Sequence, residues 1–469
     1  MAKTNLKNRW AKLLEPKRLC RTEPAGYSSS DRGEFDRDYD RIVFSSAFRR
    51  LKDKTQVFPL SKNDFTRTRL THSLEVACVG RSLGRKLEGL LISQKHYPSF
   101  TPDIKTIVSA ACLAHDIGNP PFGHSGEASI QRWAKRNVGA GSDAKYLLEN
   151  RQQVQDLQEF EGNAQAIRVL CRIQAQRKKG GLQLTYPTLG AVMKYPCGSL
   201  INKKPRPKSF ISQKKFGYFQ DDEDMVFEAL RAMELEEYES GAFKRHPLTY
   251  LVEAADDICY GVVDLEDSVD QGLVSTEEAF EVMKPIGAMA AKDAGKTKHF
   301  NKKCKQYDGE SRIRWLRAYV IQGLVNSCFR VVEENYEILA TNHLEENLMS
   351  LSDAAAQYEE IKKVVEETAY LNERVLQVEV AGFNVIGGLL DIFVPALVSR
   401  DRSSVEKKIV DVFPLAYLQQ SGDKTTKEEA LAKLTTYQRI LAATDYISGM
   451  TDNFAVNCYQ KLSGIALPE

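Results

Sequence analysis

Polar and titratable side chains are concentrated in one short stretch, "LAHDIGNPPFGHSGE", which runs from Leu113 to Glu127. The stretch contains two histidines, an aspartate and a glutamate around two prolines and three glycines. Prolines cannot continue a helix, and glycines allow the backbone to leave the helix abruptly and return. The pattern predicts a buried helix end followed by a sharp turn, with groups at the turn that can bind a metal ion or transfer a proton.

Two more titratable residues lie in apolar helical patterns, where an unpaired charge would be costly. His72 is at the head of the helical stretch "RTRLTHSLE", and Asp256 lies within "YLVEAADDICY". A buried carboxylate without a partner is strongly destabilising or shifts its pKa. A divalent cation would remove this cost, because it pairs with all of the carboxylates at once. We therefore predict one metal site with four ligands: His72, His115, Asp116 and Asp256.

Two imidazoles and two carboxylates form a mixed nitrogen and oxygen ligand set. Such a set suits Mn²⁺, Mg²⁺, Co²⁺ or Fe²⁺ with positions left for water and substrate. A closed structural zinc site is less well suited, because those sites favour thiolates. The alternative is that His72 and His115 are hydrogen-bonded core histidines. The adjacent His115-Asp116 pair and the buried-looking Asp256-Asp257 pair make that alternative weaker.

The segments that carry these residues have the apolar period of α-helices. Two of them are "LTHSLEVACVGRSLGRKLEGLL" and "DIKTIVSAACLAHDIG", and the second is stopped by Gly118. "EFEGNAQAIRVLCRIQAQ", "PLTYLVEAADDICYGVVDLEDSVDQG" and most of the C-terminal third are also helical, and short strands are expected near "GLQLTYPTL". The predicted fold class is mainly α, a multi-helical bundle with a helical C-terminal extension.

The composition excludes several classes of protein. The 469 residues are 42% hydrophobic and 27% charged, which is typical of a soluble globular chain. The net charge of +2 gives no global attraction to nucleic acid or membranes. No apolar run approaches the roughly 20 residues that span a bilayer, and the N-terminus lacks a secretory signal. The nine cysteines form no CxxC pair, so we predict a cytoplasmic protein without a membrane partner.

The order of these residues resembles the HD superfamily of metal-dependent phosphohydrolases, and most closely the deoxyguanosine triphosphate triphosphohydrolase (dGTPase) family. The blocks that carry the resemblance are "FRRLKDKTQVFPL", "RTRLTHSLEV", "HDIGNPPFGHSGE", "FEGNAQ", "EAADDICYGVVDLED" and "DYISGMTD". They extend from Phe48 to Asp452, and this ordered set is far more specific than a His-Asp dipeptide alone. The resemblance implies a single helical unit over 1–469, with an HD core at about 66–275 and a helical C-terminal part at about 310–469.

The resemblance also implies a reaction. A dGTPase hydrolyses dGTP, and some members hydrolyse other dNTPs, to a deoxynucleoside and inorganic triphosphate. Water bound to the metal attacks the α-phosphorus, and the ion lowers the pKa of that water. His124 is implied to assist the attacking water or the leaving group, with Glu127 orienting its ring. The alternative for His124 is a structural loop histidine. The absence of a GxxxxGK[ST] phosphate-binding loop is consistent with this chemistry.

Further positions are implied to contact the substrate. Cations must hold the triphosphate, and the resemblance gives phosphate contacts to Arg69, Lys194 and Tyr195, with Asn163 as a phosphate contact or a supporting residue. Arg67 is a weaker phosphate candidate.

The deoxyribose is implied to meet three other side chains. Tyr260 would pack against the sugar and leave no room for a 2′-hydroxyl, while Gln56 and Asp264 would hydrogen-bond the 3′-hydroxyl. The spacing of four residues supports a shared helix face for Asp256, Tyr260 and Asp264, with Asp257 pointing elsewhere.

Partners and rival functions follow from the same resemblance. It implies a homo-oligomer, a hexamer or a tetramer, that prefers dGTP and responds to a nucleotide or single-stranded DNA effector. Basic loops at Lys203–Lys215 and Lys292–Lys305 are candidates for the effector contacts. One alternative is another HD phosphohydrolase, such as a nucleotidase or phosphodiesterase. The other alternative is a nucleotide- or DNA-sensing regulator without turnover.

Overall fold

The computed structural model describes residues 2–21, 32–57, 67–100, 102–141, 143–175, 179–200, 211–341, 344, 346–369, 371–419 and 425–466. The end of the sequence block that begins at Phe48 (residues 58–60) and residues 203–210 of the first basic loop lie outside these ranges. Across the described ranges the chain forms 21 α-helices and two sheets of two short strands each. The mainly α, multi-helical fold class is confirmed.

The first eleven helices carry most of the predicted site residues. They are α1 (Ala2–Leu13), α2 (Glu34–Val43), α3 (Ser46–Arg50), α4 (Arg69–Ser93), α5 (Ile104–Ala114), α6 (Gly123–Asn137), α7 (Arg151–Gln158), α8 (Gly162–Arg168), α9 (Tyr186–Val192), α10 (Glu223–Ala232) and α11 (Pro247–Asp270). Strand β1 (Val138–Gly139) pairs in parallel with β2 (Tyr146–Leu147), and β3 (Glu237–Glu239) pairs antiparallel with β4 (Ala242–Phe243).

The C-terminal part is mainly helical in its described residues. Its helices are α12 (Thr276–Asp293), α13 (Thr297–Gln306), α14 (Gly309–Thr341), α15 (Leu348–Leu351), α16 (Ala355–Thr368), α17 (Glu373–Val398), α18 (Ser404–Val412), α19 (Lys427–Lys433), α20 (Thr436–Ser448) and α21 (Asp452–Leu462).

Two local predictions are wrong. The strand expected near "GLQLTYPTL" is only an isolated antiparallel bridge between Thr185 and Arg18, followed directly by α9. Pro187 lies in the first turn of α9, where its fixed backbone angle favours a helix. The basic stretch Lys292–Lys305 is also not a loop, because it comprises the last turn of α12, a short turn and most of α13.

Helices α4, α5 and α11 pack together and form the frame of the site. Two glycines of α4 permit the close approach of α5: a Cβ on Gly80 would lie 2.4 Å from Cys112 Sγ, and one on Gly84 would lie 2.7 Å from the Lys105 Cα. The Thr68 side chain caps the start of α4 by accepting a hydrogen bond from the Thr71 amide. These contacts place His72, on the first turn of α4, beside the C-terminal end of α5.

The turn between α5 and α6 is fixed by residues from the far end of the chain. Phe122, which precedes α6, has a left-handed backbone with φ of 60°. Its amide donates a 3.1 Å hydrogen bond to Asp452 Oδ1, and the Thr55 amide donates a 3.0 Å hydrogen bond to Asp452 Oδ2. The buried Lys54 Nζ donates to the carbonyls of Asn119 and Ser448. The C-terminal helices therefore stabilise the strained turn that follows α5.

Two apolar cores support the fold. The first includes residues of α1, α4, α5, α11 and α14, and the second includes residues of α6, α7, α17 and α20. Both cores draw on residues before and after position 275, and the division into an HD core and a C-terminal part stays a prediction.

Helix α17 contradicts the expectation that no apolar run is long enough to span a membrane. The segment Val375–Val398 has a mean hydropathy of 1.8, so by length and composition alone it is long and apolar enough to cross a membrane. Half of that segment is buried inside the protein, and Ile386, Leu389 and Phe393 belong to the second apolar core. The sequence expectation failed because the central helix of a core is as apolar as a membrane-spanning one.

Candidate active site

A cavity of about 540 Å³ opens where α4, the turn after α5, α11 and α17 meet. Val192 and Val252 of the first apolar core and Phe122 and Tyr195 of the second contribute to its wall. Every predicted site residue except Asp264 lines this cavity: Gln56, Arg69, His72, His115, Asp116, His124, Glu127, Asn163, Lys194, Tyr195, Asp256 and Tyr260.

Asp264 is the predicted residue that the structure does not bring to the cavity. It is fully buried within α11. Asp264 follows Asp256 by eight residues, which is roughly 12 Å along a helix axis at 1.5 Å per residue. Asp256 and Asp264 can therefore share a helix face without lining the same cavity. The role of Asp264 toward a sugar hydroxyl stays a prediction.

The centre of the cavity is a cluster of imidazoles and carboxylates. Asp256 Oδ1 lies 3.1 Å from His72 Nε2 and 3.4 Å from His115 Nε2. The ligand atoms of these three residues all lie within 4.8 Å of one another. Asp116 Oδ1 lies 3.5 Å from His115 Nε2, at the edge of the cluster. The structure thus brings together the four predicted metal ligands from α4, α11 and the end of α5.

The donor atoms of this cluster fit a divalent cation. His115 Nδ1 donates a 2.7 Å hydrogen bond to the Cys112 carbonyl, which directs Nε2 toward the carboxylates of Asp116 and Asp256. Within the described residues, His115 Nε2 and His72 Nδ1 are buried without a hydrogen-bond partner. Buried polar atoms are rarely left unsatisfied. A cation bound by the His115 Nε2 and the carboxylates would satisfy this nitrogen.

The carboxylates of the cluster are ionised, which a cation requires. Burial raises the pKa of Asp116, but Arg69 and the two imidazoles outweigh burial and lower this pKa to about 2. The imidazoles also outweigh burial at Asp256 and hold its pKa well below its usual range. In turn, burial lowers the pKa of His115, but Asp116 and Asp256 outweigh burial and raise it to about 9.

His124 and Glu127 form a hydrogen-bonded pair beside the cluster. His124 Nδ1 lies 3.0 Å from Glu127 Oε2, and Glu127 Oε1 accepts a 2.8 Å hydrogen bond from the Gly162 amide. The Glu127 side chain is 8% exposed and the His124 side chain is 90% exposed. Glu127 is therefore a fixed anchor that engages one ring nitrogen, and Nε2 is the nitrogen left for a substrate.

Among the described residues, three cations line the cavity, and each has its own carboxylate partner. Arg69 donates a 2.6 Å hydrogen bond to Asp116 Oδ2, and Lys194 Nζ lies 3.2 Å from Glu253 Oε1. Lys215 pairs with Glu161. Arg67, the weaker phosphate candidate, does not line the cavity and instead pairs with carboxylates at three positions: Glu75, Glu266 and Asp267.

The remaining predicted residues occupy the wall. The Gln56 Oε1 is buried and has no hydrogen-bond partner among the described residues, so it is an acceptor without a donor. Asn163 Nδ2 donates a 2.7 Å hydrogen bond to Glu161 Oε2. Tyr195 is buried and Tyr260 is half-buried. These side chains give the wall a mixture of flat apolar surface and hydrogen-bonding groups.

Sequence reasoning missed three charged residues of the cavity: Lys215, Glu253 and Glu379. Glu253 precedes Asp256 by three residues on α11, a spacing that shares a helix face, so this signal was present in the sequence. Lys215 was included only within a basic loop. Glu379 lies in the apolar helix α17, where no motif marks it.

Comparisons with known proteins agree with this site. The HD domain family model matches residues 69–173, which include His72, His115 and Asp116. The chain is 36% identical over 477 residues to a deoxyguanosinetriphosphate triphosphohydrolase-like protein of Listeria innocua, covering 98% of this chain and 100% of that protein. It is 37% identical over 468 residues to a protein of the same name from Synechocystis sp., again covering 98% and 100%.

The name of a third relative lacks the ending "-like protein". The deoxyguanosinetriphosphate triphosphohydrolase of Yersinia pestis is 34% identical over 483 residues, covering 91% of this chain and 93% of that protein. The chain belongs to the dGTPase family of HD-domain proteins. The resemblance inferred from the sequence blocks is confirmed, and the protein is an HD-domain phosphohydrolase with a His/Asp metal cluster.

Replacing two neighbouring carboxylates, one at a time, tests which residues bind the metal ion. We expect Asp256→Asn to weaken Mn²⁺ binding by at least about 100-fold, because it replaces a ligand and supporting residues alone account for about 10–100-fold. Isothermal titration calorimetry of the metal-stripped protein measures the affinity.

The matched control is Asp257→Asn. Asp257 is adjacent in α11 but does not line the cavity, and burial raises its pKa to about 7. Its replacement should leave Mn²⁺ affinity within about threefold, because it removes no ligand. Equal losses in the two variants would contradict the assignment of Asp256 as a ligand.

The His124–Glu127 pair predicts a titration. The hydrogen bond to Glu127 raises the pKa of His124 above its ordinary value of 6.5. Glu127→Gln removes the negative charge but keeps an acceptor for the Gly162 amide, so the pKa of His124 should fall. NMR titration of the His124 ring, assigned with His124→Gln, measures the change. An unchanged or higher pKa in the variant would exclude Glu127 as the cause.

Proposed function

We propose that this protein hydrolyses dGTP, and other dNTPs less efficiently, to the deoxynucleoside and inorganic triphosphate. The observation that supports the proposal is a single cavity that contains a His/Asp metal cluster, three cations and a His-Glu pair. This combination suits hydrolysis of a phosphate ester better than it suits binding alone.

The metal cluster provides the acid chemistry of the proposed reaction. His72, His115, Asp116 and Asp256 would hold a divalent cation: Mn²⁺, Mg²⁺, Co²⁺ or Fe²⁺. When bound, such an ion supplies Lewis acidity to a phosphate oxygen and increases the acidity of water. The hydrogen bond from His115 to Cys112 keeps the ring oriented for this role.

The cations hold the triphosphate. Arg69, Lys194 and Lys215 line the cavity around the metal cluster, and charge-assisted hydrogen bonds to phosphate are among the strongest in proteins. Tyr195 and Asn163 lie in the same wall and add polar contacts. We assign the α-phosphate to the side nearest the metal cluster, which leaves the β- and γ-phosphates to the lysines.

His124 transfers the proton in the proposed reaction. Water attacks the α-phosphorus, the bond between that phosphorus and the 5′ oxygen breaks, and the 5′ oxygen must gain a proton. The hydrogen bond to Glu127 raises the pKa of His124 and so favours its protonated form, which suits donation from Nε2 to the 5′ oxygen. Glu127 holds the ring in place through Nδ1.

The sugar and base are assigned to the remaining wall. Tyr260 would pack against the deoxyribose and exclude a 2′-hydroxyl, and Gln56 Oε1 would accept from the 3′-hydroxyl. Glu379 lines the cavity from α17, beside Val375. Guanine has adjacent N–H donors at N1 and N2, and one carboxylate can accept from both. Adenine has an acceptor at N1, which a carboxylate repels, so Glu379 favours dGTP.

Product analysis tests the proposed reaction. The protein is incubated with Mn²⁺ and each of the four dNTPs, and the products are resolved by anion-exchange chromatography. We expect inorganic triphosphate and the deoxynucleoside in equal amounts, with the highest kcat/KM for dGTP. Asp256→Asn serves as the inactive control.

The rival functions give different products. Orthophosphate or pyrophosphate would indicate a nucleotidase or another HD phosphohydrolase. Nucleotide binding without turnover would indicate a sensor. Either result would overturn the proposed reaction.

Base preference is tested at Glu379. We expect Glu379→Gln to lower kcat/KM for dGTP by at least about tenfold, because the amide offers only one acceptor to two donors. The value for dATP should change little or increase. Glu373→Gln is the matched control, since Glu373 is exposed on the same helix and does not line the cavity. A parallel loss for all four dNTPs would contradict a role in base selection.

The cytoplasmic location, the hexamer or tetramer, and the nucleotide or single-stranded DNA effector stay predictions. Of the two basic segments, residues 211–215 and the region around α13 are described, and Lys215 of the first segment lines the cavity.

A further inference from the structure

Glu253 poses a problem for a cavity that binds a polyanion. Its side chain is 4% exposed and lines the cavity from α11, one helical turn before Asp256. A carboxylate in this position repels phosphate unless neighbouring cations compensate its charge. The contacts of Glu253 identify those cations.

Three contacts connect Lys194, Glu253 and Arg245 in a closed ring. Lys194 Nζ lies 3.2 Å from Glu253 Oε1, and Arg245 Nη1 donates a 2.8 Å hydrogen bond to Glu253 Oε2. Arg245 Nε donates a 2.7 Å hydrogen bond to the Lys194 carbonyl. Arg245 therefore holds Lys194 at both ends, its backbone directly and its ammonium through Glu253.

The same arginine also packs against Tyr195. The Arg245 guanidinium lies 5.7 Å from the centre of the Tyr195 ring and 5.3 Å from that of Tyr250. Tyr250 is anchored in the core, because its hydroxyl donates a 3.0 Å hydrogen bond to the Leu344 carbonyl. The Arg245 side chain is fully buried, so it reaches a bound ligand only through its neighbours.

We propose that Arg245 and Glu253 are positioning residues that hold Lys194, beside Tyr195, as a preformed phosphate-binding arm. The inference rests on the proposed function, in which Lys194 contacts phosphate. A lysine already held in place loses less side-chain entropy when phosphate binds. The ring contains two cations and one carboxylate, so Arg245 offsets Glu253 and leaves the positive charge of Lys194 for the ligand.

A variant that conserves charge isolates the geometry from the electrostatics. Arg245→Lys keeps a cation beside Glu253, but one ammonium cannot reproduce the fork that binds both Glu253 and the Lys194 carbonyl. We expect the Kd for inorganic triphosphate, measured by calorimetry on the Mn²⁺-loaded protein, to rise by about tenfold. The Kd for deoxyguanosine, which has no phosphate, should stay the same, and in turnover KM for dGTP should rise more than kcat falls.

A double-mutant cycle with Lys194→Met tests whether the effect passes through Lys194. If Arg245 acts by positioning Lys194, Arg245→Lys should weaken triphosphate binding in the wild-type background and have no further effect in the Lys194→Met background. Glu253→Asp also conserves charge and is one methylene too short to join Arg245 to Lys194. It provides the same measurement should Arg245→Lys fail to fold.

Arg18→Lys is the control for general damage to a buried ion pair. Arg18 is buried, hydrogen-bonds Asp38 at 2.6 Å and does not line the cavity. Arg18→Lys should lower the melting temperature of the protein without changing the Kd for inorganic triphosphate or for deoxyguanosine.

The outcomes separate this inference from the proposed function. Equal weakening of triphosphate and deoxyguanosine, or an effect of Arg245→Lys that persists without Lys194, would show a merely structural role and overturn the inference. If Lys194→Met weakens triphosphate binding but Arg245→Lys and Glu253→Asp do not, only the positioning role is lost. If Lys194→Met itself changes nothing, the phosphate site of the proposed function fails as well.

Discussion

The carboxylate of Asp256, shared between the imidazoles of His72 and His115, is the interaction on which the site depends. An isolated carboxylate in an apolar helix would be strongly destabilising. Its contacts with His72 Nε2 at 3.1 Å and His115 Nε2 at 3.4 Å compensate its charge. They also fix the spacing of α4, α5 and α11, whose close approach requires Gly80 and Gly84. The packing of the three helices and the ligand geometry are therefore one constraint, and neither can change without the other.

The cations of the cavity are also paired with groups of opposite charge. Carboxylates outnumber arginines and lysines among the described lining residues, with Asp116, Glu127, Glu253, Asp256 and Glu379 against Arg69, Lys194 and Lys215. Such a lining does not attract a triphosphate by itself, because its carboxylates outnumber its cations. A divalent cation held by the His/Asp cluster would neutralise this excess of two negative charges and would release Arg69 from part of the Asp116 charge. Asp116 contacts both His115 and Arg69, so metal binding would be coupled to phosphate binding through this carboxylate.

The sequence predicted the helices and the metal cluster because both leave local signals. A buried charge within an apolar period marks His72, His115 and Asp256, and a proline–glycine turn marks the end of α5. Contacts between distant segments leave no such signal. Arg245 was missed because its function depends on Lys194, fifty-one residues earlier. Asp264 does not line the cavity, which the sequence did not reveal, because the helical period gives the direction of a side chain but not how far along the helix the cavity extends.

The site is a property of almost the whole chain rather than of the HD domain alone. The HD model covers residues 69–173, but the cavity extends from Thr55 to Glu379. The turn that carries His124 is fixed from still further away, since Asp452 accepts hydrogen bonds from Thr55 and Phe122. Phe122 has a left-handed backbone, which a non-glycine residue adopts only when its surroundings hold it there. The C-terminal helices therefore help to hold the His124–Glu127 pair in position, and similarity to the relatives likewise extends over 91% to 98% of the chain.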